Sequence, residues 1–265
     1  MVSIDSSVYG PWAVIAGGSE GVGAAFADEL AAAGINLVLF ARKPGPLEQT
    51  AGRARERGVQ VRTVALDLIA AGALDAVRAA TADVEVGLFI FNAGANTYGA
   101  EIVEGDPDRF QQVIDLNIGA QLRLTQHFGK RLKDRGRGGI ILLGSLAGYL
   151  GQPQIGVYSA AKAFDRILAE SLWIELAPHG VHVLGLVLGV TRTPSMERAG
   201  LRMDLPGLNV AEPADVAREG LEHLADGPLW IAGGNFETAR RRNGFGRAEI
   251  VRRAAEATRR LVPSR

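Results

Sequence analysis

The sequence contains no cysteine. Disulfides and thiolate metal sites are thereby excluded, and a reducing compartment is consistent with the composition. Net charge is also missing, because 29 Lys and Arg balance 29 Asp and Glu. Nothing global points to nucleic acid or to an acidic partner. No apolar run reaches membrane-spanning length without Gly or charge. The N-terminal "MVSIDSSVYGPW" lacks the basic region and apolar run of a secretory signal. These absences lead to the expectation of a soluble, cytoplasmic protein. The 34 glycines follow no period, so collagen is excluded. What remains is ordinary globular composition, 47% hydrophobic and 22% charged, in 265 residues, enough for one large core.

Short apolar runs alternate with longer amphipathic stretches. The runs at 12–17, 35–41, 59–66, 86–92, 139–144, 181–188 and 228–233 predict strands, several apolar throughout as in a sheet covered on both faces. Helices are expected near 21–33, 46–57, 71–81, 107–134, 156–177 and 213–225. Asp106-Pro107 and Glu212-Pro213 read as helix starts. Regular β-α alternation implies a parallel, doubly wound sheet with a ligand crevice at the strand C-terminal ends. No linker or repeat divides the chain.

The first strand runs into "AGGSEGVGAAF", where Gly17, Gly21 and Gly23 form G-x-x-x-G-x-G before a helix. Such a turn can be a tight strand–helix connection. It can also let the backbone approach a pyrophosphate at a helix N-terminus, and its place after the first strand favours a dinucleotide. The second strand ends in "LFARK". An acid that accepts from a ribose 2′-hydroxyl usually stands here. Arg42 and Lys43 stand here instead and could pair with a 2′-phosphate, so NADP(H) is favoured over NAD(H). Glu20 complicates that reading, because it sits in the same glycine loop.

"YSAAK" at 158–162 places a phenol and an ammonium on one helix face. An adjacent ammonium stabilises a phenolate, which would make a tuned acid. Two residues on a solvated face would have the same spacing, and Y-x-x-x-K alone does not decide.

Together these motifs resemble the short-chain dehydrogenase/reductase (SDR) family, in its main single-domain group, from about residue 10 to about residue 235. "AGGSEGVG" resembles T-G-x-x-x-G-I-G with Ala16 in place of Thr. "LDL" at 66–68 resembles the acidic spot after the third strand, and "NAG" at 92–94 the motif after the fourth. Asn117 in "DLNIGA" falls at the family's helix Asn. "GSLAG" resembles S-S-x-x-G with Gly144 for the first Ser. Ser145 precedes Tyr158 by thirteen positions, the family's usual interval. "LGVTRT" at 188–193 resembles P-G-x-V-x-T, with Leu188 for Pro and Thr191 for the aliphatic residue.

The resemblance implies a Rossmann-like α/β fold, a mainly seven-stranded parallel sheet with helices on both faces, over 1–235. An Arg-rich, helical C-terminal extension would follow at 236–265. It implies an NAD(P)(H)-dependent oxidoreductase interconverting a carbonyl and a secondary alcohol, with hydride from nicotinamide. Tyr158 would supply the proton. Lys162 would support the phenol and bond the nicotinamide ribose, Ser145 would donate to the carbonyl oxygen, and Asn117 would hold a water that relays protons to Lys162. Cofactor contacts are expected from Gly17, Ser19, Glu20, Gly21, Val22, Gly23, Arg42, Lys43, Asp67, Leu68, Asn92, Ala93, Gly94, Gly189, Thr191 and Thr193, besides Tyr158 and Lys162. No metal is expected.

The loops after Ser145 and Thr193 offer an apolar lining in Leu146, Tyr149, Leu150, Ile155, Met196, Leu201, Met203 and Leu205. The expected substrate is therefore a small apolar ketone or alcohol of lipid-, steroid- or polyketide-like kind. The basic tail reads as a solvated helix packed on the domain or on its symmetry mate, or as a surface for anionic lipid or a phosphate-bearing substrate. The family usually forms homodimers or homotetramers. A non-catalytic NADP(H)-binding sensor on the same fold is the alternative. Sensors tend to lose the Tyr or Lys that are present here.

Overall fold

The computed structural model describes residues 4–261. Its strands are β1 (Trp12–Ala16), β2 (Asn36–Ala41), β3 (Val61–Ala65), β4 (Val86–Phe91), β5 (Gly138–Ser145), β6 (Val181–Leu188), β7 (Val190–Thr191), β8 (Val210–Ala211) and β9 (Leu229–Ile231). Its helices are α1 (Ser6–Tyr9), α2 (Gly21–Ala32), α3 (Pro44–Glu56), α4 (Ala73–Ala80), α5 (Pro107–Ile114), α6 (Gln121–Arg135), α7 (Gly156–Leu176), α8 (Pro194–Arg198), α9 (Pro213–Glu222), α10 (Phe236–Arg242) and α11 (Arg247–Leu261).

Seven strands pair in the order β3-β2-β1-β4-β5-β6-β9. Every pair is parallel. Two-residue alternation divides each central strand between two cores. Ala13 and Ile15 of β1, Leu37 and Leu39 of β2, and Leu88 and Ile90 of β4 face one side. There they pack with Phe26 and Leu30 of α2, Leu47 of α3 and Val216 of α9. Val14, Val38, Phe40, Phe89 and Phe91 face the other, with Val77 of α4, Leu124 and Phe128 of α6 and Leu176 of α7. Burial on both faces explains why β1 and β4 are apolar at every position. The chain winds outward from β1 to β3, then crosses to β4. The C-terminal ends of β1 and β4 therefore flank the switch point where such sheets open a crevice.

Asp106 caps α5 as its sequence suggests, its carboxylate accepting from the Asp108 and Arg109 amides. One local expectation is corrected. The helix expected across 107–134 is interrupted by a π-type stretch, Asp115–Ala120. The Asn117 amide nitrogen donates to the Val113 carbonyl at 2.9 Å, so a side chain enters the helical ladder and widens it. Pro213 starts α9 as expected, with Glu212 at the N-cap position but without a side-chain cap bond. The Glu212 carboxylate accepts from Arg192 Nε at 3.0 Å instead.

Candidate active site

The glycine loop between β1 and α2 is built by close approach. Gly17 has φ +89°, and a Cβ there would lie 2.7 Å from the Ala93 nitrogen. A Cβ on Gly23 would lie 2.0 Å from the Gly17 carbonyl oxygen. Asn92, just past β4, donates its amide to that same carbonyl at 2.7 Å. The Gly17 and Gly18 amides donate to the Phe40 carbonyl of β2, at 2.7 and 3.2 Å. Thr50 of α3 donates to the Ser19 carbonyl at 3.1 Å. The loop is thus tied to the ends of β2 and β4, and α2 begins without a side-chain cap. An uncapped helix N-terminus behind a side-chain-free cradle fits a pyrophosphate.

Glu20 projects from this loop to an ion pair with Arg198 of α8. Hydrogen bonding to Arg198 holds the carboxyl below its usual range against the effect of burial, with help from the charges of Arg198, Lys43 and Arg42. Arg42 and Lys43 are exposed just past β2. The segment after β6 also lies over the loop: a Cβ on Gly21 would come within 3.0 Å of the Thr193 methyl. Thr193 itself caps α8, accepting from the Met196 amide at 3.3 Å. Thr191 is buried in β7, and Gly189 packs against Asn235. Asp67 is exposed and accepts from the Ile69 amide at 3.2 Å. Leu68 is buried in the core, so only its backbone remains for a ligand.

Lys162 is buried in the cleft, with 5% of its side chain exposed. It lies on α7 one turn after Tyr158, with Nζ 5.8 Å from the phenol ring centre. Nζ donates to the Leu143 carbonyl of β5 at 2.9 Å and to Asp165 Oδ2 at 2.7 Å. Burial opposes the ammonium charge, but Asp165 and Tyr158 outweigh it and hold Lys162 above the ordinary lysine value. Burial raises the Asp165 carboxyl by more than Lys162 and Gln121 lower it. The 2.7 Å contact still identifies Asp165 as the acceptor of an ion pair.

Asn117 is fully buried. Its amide donates to the Ala95 carbonyl at 3.1 Å, which leaves Oδ1 buried and without a partner. Gly94 brings the two groups together. A Cβ there would stand 2.8 Å from Asn117 Oδ1 and 3.0 Å from Lys162 Nζ. Ser145 ends β5, its hydroxyl accepting from the Ala147 amide at 3.1 Å. A Cβ on Gly148 would lie 2.5 Å from the Lys162 carbonyl. That glycine lets the Ser145 segment lie directly on α7. The structure thus gathers Asn117, Tyr158 and Lys162 about Gly94, with Ser145 ending the strand whose Leu143 carbonyl Lys162 bonds. Gly144 is not sterically required, since a Cβ there meets only ordinary contact at 3.6 Å.

Of the lining residues expected from sequence, Leu146 and Leu150 are buried. Leu146 packs with Val187 of β6 and Ala239 of α10, which anchors the loop. Tyr149, Ile155, Met196, Leu201, Met203 and Leu205 are half-buried. The arginine-rich tail reaches this loop. Arg242 donates to the Leu146 carbonyl at 3.0 Å and Arg247 to the Tyr149 carbonyl at 2.8 Å. Arg166 stacks over the Tyr149 ring at 4.6 Å. Among the described residues, no group of three or more His, Asp or Glu is placed to hold a metal ion.

A family model described as short chain dehydrogenase matches residues 11–203. The chain belongs to the short-chain dehydrogenase/reductase family. Oxidoreductase chemistry and the Rossmann-like fold come with that membership. The chain is 34% identical over 200 residues to a 7beta-hydroxysteroid dehydrogenase of Collinsella aerofaciens, covering 75% of this chain and 74% of the relative. A solved structure concerned with 7beta-hydroxysteroid dehydrogenase stereoselectivity superposes with TM-score 0.86 at 29% identity, over 94% of this chain and 98% of that one. A short-chain dehydrogenase from Sphingobium yanoikuyae, solved in complex with NADPH, superposes with TM-score 0.76 at 32% identity, over 87% and 93%.

Sequence reading of this SDR chain missed Asp165, Gln121, Arg198 and Arg242. Asp165 had one available signal, its i,i+3 spacing from Lys162, which is also that of many solvated pairs. No helix among the described residues is long and apolar enough to cross a membrane.

Proposed function

We propose that this SDR oxidoreductase interconverts a carbonyl and a secondary alcohol on a bulky apolar substrate, uses NADP(H), and employs Tyr158 as its proton donor. The supporting observation is the meeting at Gly94 of Lys162 Nζ and the unpartnered Asn117 Oδ1, next to the Tyr158 ring. When bound, the nicotinamide would supply the hydride.

Gly17, Gly21 and Gly23 would receive the pyrophosphate, with Ser19, Val22 and the α2 N-terminus around it. Asn92, Ala93 and Gly94 would flank the nicotinamide half together with Gly189, Thr191 and Thr193. Asp67 and the Leu68 backbone would bound the adenine end. Arg42 and Lys43 would take a 2′-phosphate, and the Arg198 partner would offset the Glu20 charge beside them. Tyr158 gives its proton to the carbonyl oxygen as the alcohol forms. Ser145 donates to the same oxygen, where negative charge grows in the transition state. Lys162 stabilises the phenolate left on Tyr158, and Asn117 Oδ1 holds a water through which that proton is replaced.

Half-buried Tyr149, Ile155, Met196 and Leu201 would face the substrate. A steroid-like ketone suits that lining and agrees with the named activity of the Collinsella relative. Exposed Ile167 and Ile174 on α7 and Leu122 on α6 would be covered in a homodimer or homotetramer.

The test is NADPH consumption against bulky apolar and small polar ketones. Turnover confined to the bulky apolar class is expected, and turnover of small polar ketones alone would overturn the substrate reading. For the cofactor, Arg42→Asp should weaken NADPH binding about tenfold or more, as loss of a charged hydrogen bond does, and leave NADH binding little changed. Equal loss for both cofactors would contradict the 2′-phosphate reading.

A further inference from the structure

Asp165 lies on α7 one turn beyond Lys162, with 1% of its side chain exposed. Its Oδ2 accepts from Lys162 Nζ at 2.7 Å. With its amide nitrogen turned toward these acceptors, Gln121 donates to Asp165 Oδ1 at 2.6 Å and to the Asn117 carbonyl at 2.7 Å. Gln121 is itself fully buried. One polar chain therefore runs from Lys162 through Asp165 and Gln121 to Asn117, linking α7 to the π-type stretch beneath the cleft. Packing alone does not call for a carboxylate here, because buried ion pairs are often replaceable by apolar side chains without loss of stability.

We infer that Asp165 is a positioning residue, whose carboxylate keeps the buried Lys162 charged and aims it toward Gly94 and Asn117; this rests on the proposed pairing of Lys162 with Tyr158. A buried lysine without a counter-ion tends to give up its proton, with shifts of up to about 3–5 units. A neutral Lys162 would no longer stabilise a phenolate. Asp165 and Tyr158 are the titratable groups that act on Lys162. The Leu143 carbonyl of β5 accepts from Lys162, the neutral Asn117 amide borders the same Gly94 position, and the neutral Gln121 amide faces Asp165. An ammonium has three donors. Asp165 and Leu143 take two, which leaves one, on a nitrogen that borders the same Gly94 position as Asn117 Oδ1.

The experiment reads the lysine directly. The chain has four lysines, Lys43, Lys130, Lys133 and Lys162. In side-chain-labelled, full-length protein the Lys162 resonance is assigned by its loss in Lys162→Arg and followed by NMR against pH. Wild-type Lys162 should keep its proton beyond the ordinary value of about 10.4. Asp165→Asn should release it at least about one pH unit earlier, and Asp165→Glu should restore most of the difference. On a turned-over ketone, Asp165→Asn should lower kcat and leave KM for the ketone nearly unchanged. Identical titrations in wild type and Asp165→Asn overturn the inference. Should Asp165→Asn not fold, the wild type decides: loss of the Lys162 proton below about 10.4 overturns the inference and retention above it supports it. Absence of any ketone turnover would defeat the proposed function and leave this titration intact, so the two failures are separable.

Discussion

Gly23 shows how little freedom the cleft allows a single residue. Its missing side chain is occupied by the Gly17 carbonyl, 2.0 Å from where a Cβ would stand. Gly23→Ala should cost about 1–3 kcal/mol, as overpacking does, and should weaken NADPH binding because the cradle must open. Chemical denaturation and a binding titration check both effects, and an unchanged Kd would contradict the close-approach reading. Far from the cleft, the Tyr9 hydroxyl lies 2.6 Å from His182 Nδ1. Burial, with the charges of Asp5 and Asp226, pushes the phenol from 10.0 up to about 12. The folded state therefore favours the protonated phenol. That stabilisation is complete below the unfolded value and fades as pH rises from about 10 to about 12. Melting temperatures should fall across that window, and Tyr9→Phe should flatten part of the fall. An equal slope in the variant would show that other groups cause it.

At the scale of elements, the C-terminal arm behaves as a clamp on the loop after Ser145. Arg242 and Arg247 spend their donors on the Leu146 and Tyr149 carbonyls. Ala239 of α10 is buried against Leu146 and Val187. Arg242→Ala should destabilise the protein by about 1.5–3 kcal/mol, the range for hydrogen bonds to charged groups. It should also raise KM for an apolar ketone while NADPH affinity holds. Loss of NADPH affinity instead would place the arm's influence elsewhere. The order of strands and helices was legible in the sequence, because strands buried on both faces are apolar throughout and glycines punctuate their ends. The π-type stretch at Asp115–Ala120 was not legible. It arises where Asn117 takes a helical carbonyl, a competition that leaves no mark on hydrophobic periodicity. The arm read as a basic helix packed on the domain, but the carbonyls its arginines take were not legible, since side chains that bond backbone carbonyls have no sequence signature. The helix start at Glu212-Pro213 was legible, but the bond from Arg192 to the Glu212 carboxylate was not.

For the whole molecule, the topology gathers Asn117, Tyr158 and Lys162 about Gly94, with Ser145 ending β5, although 45 positions separate the first from the last. That proposed set could be drawn from the sequence because its spacing and order lie in the linear chain. What supports it was not readable. Asp165 gains meaning only from burial, and Gln121 only from its approach to α7. The account centres on hydride and proton delivery to a ketone by this one set of residues. The most direct measurement is deuterium transfer from NADPH labelled at the reactive nicotinamide carbon to a bulky apolar ketone, read by mass spectrometry of the alcohol, for wild type and Tyr158→Phe. The account predicts label on the carbinol carbon with wild type. It predicts a rate lower by about a hundredfold or more for Tyr158→Phe, with NADPH still bound. A wild-type protein that binds NADPH and transfers no label to any ketone, or a Tyr158→Phe variant that transfers it equally fast, would contradict it.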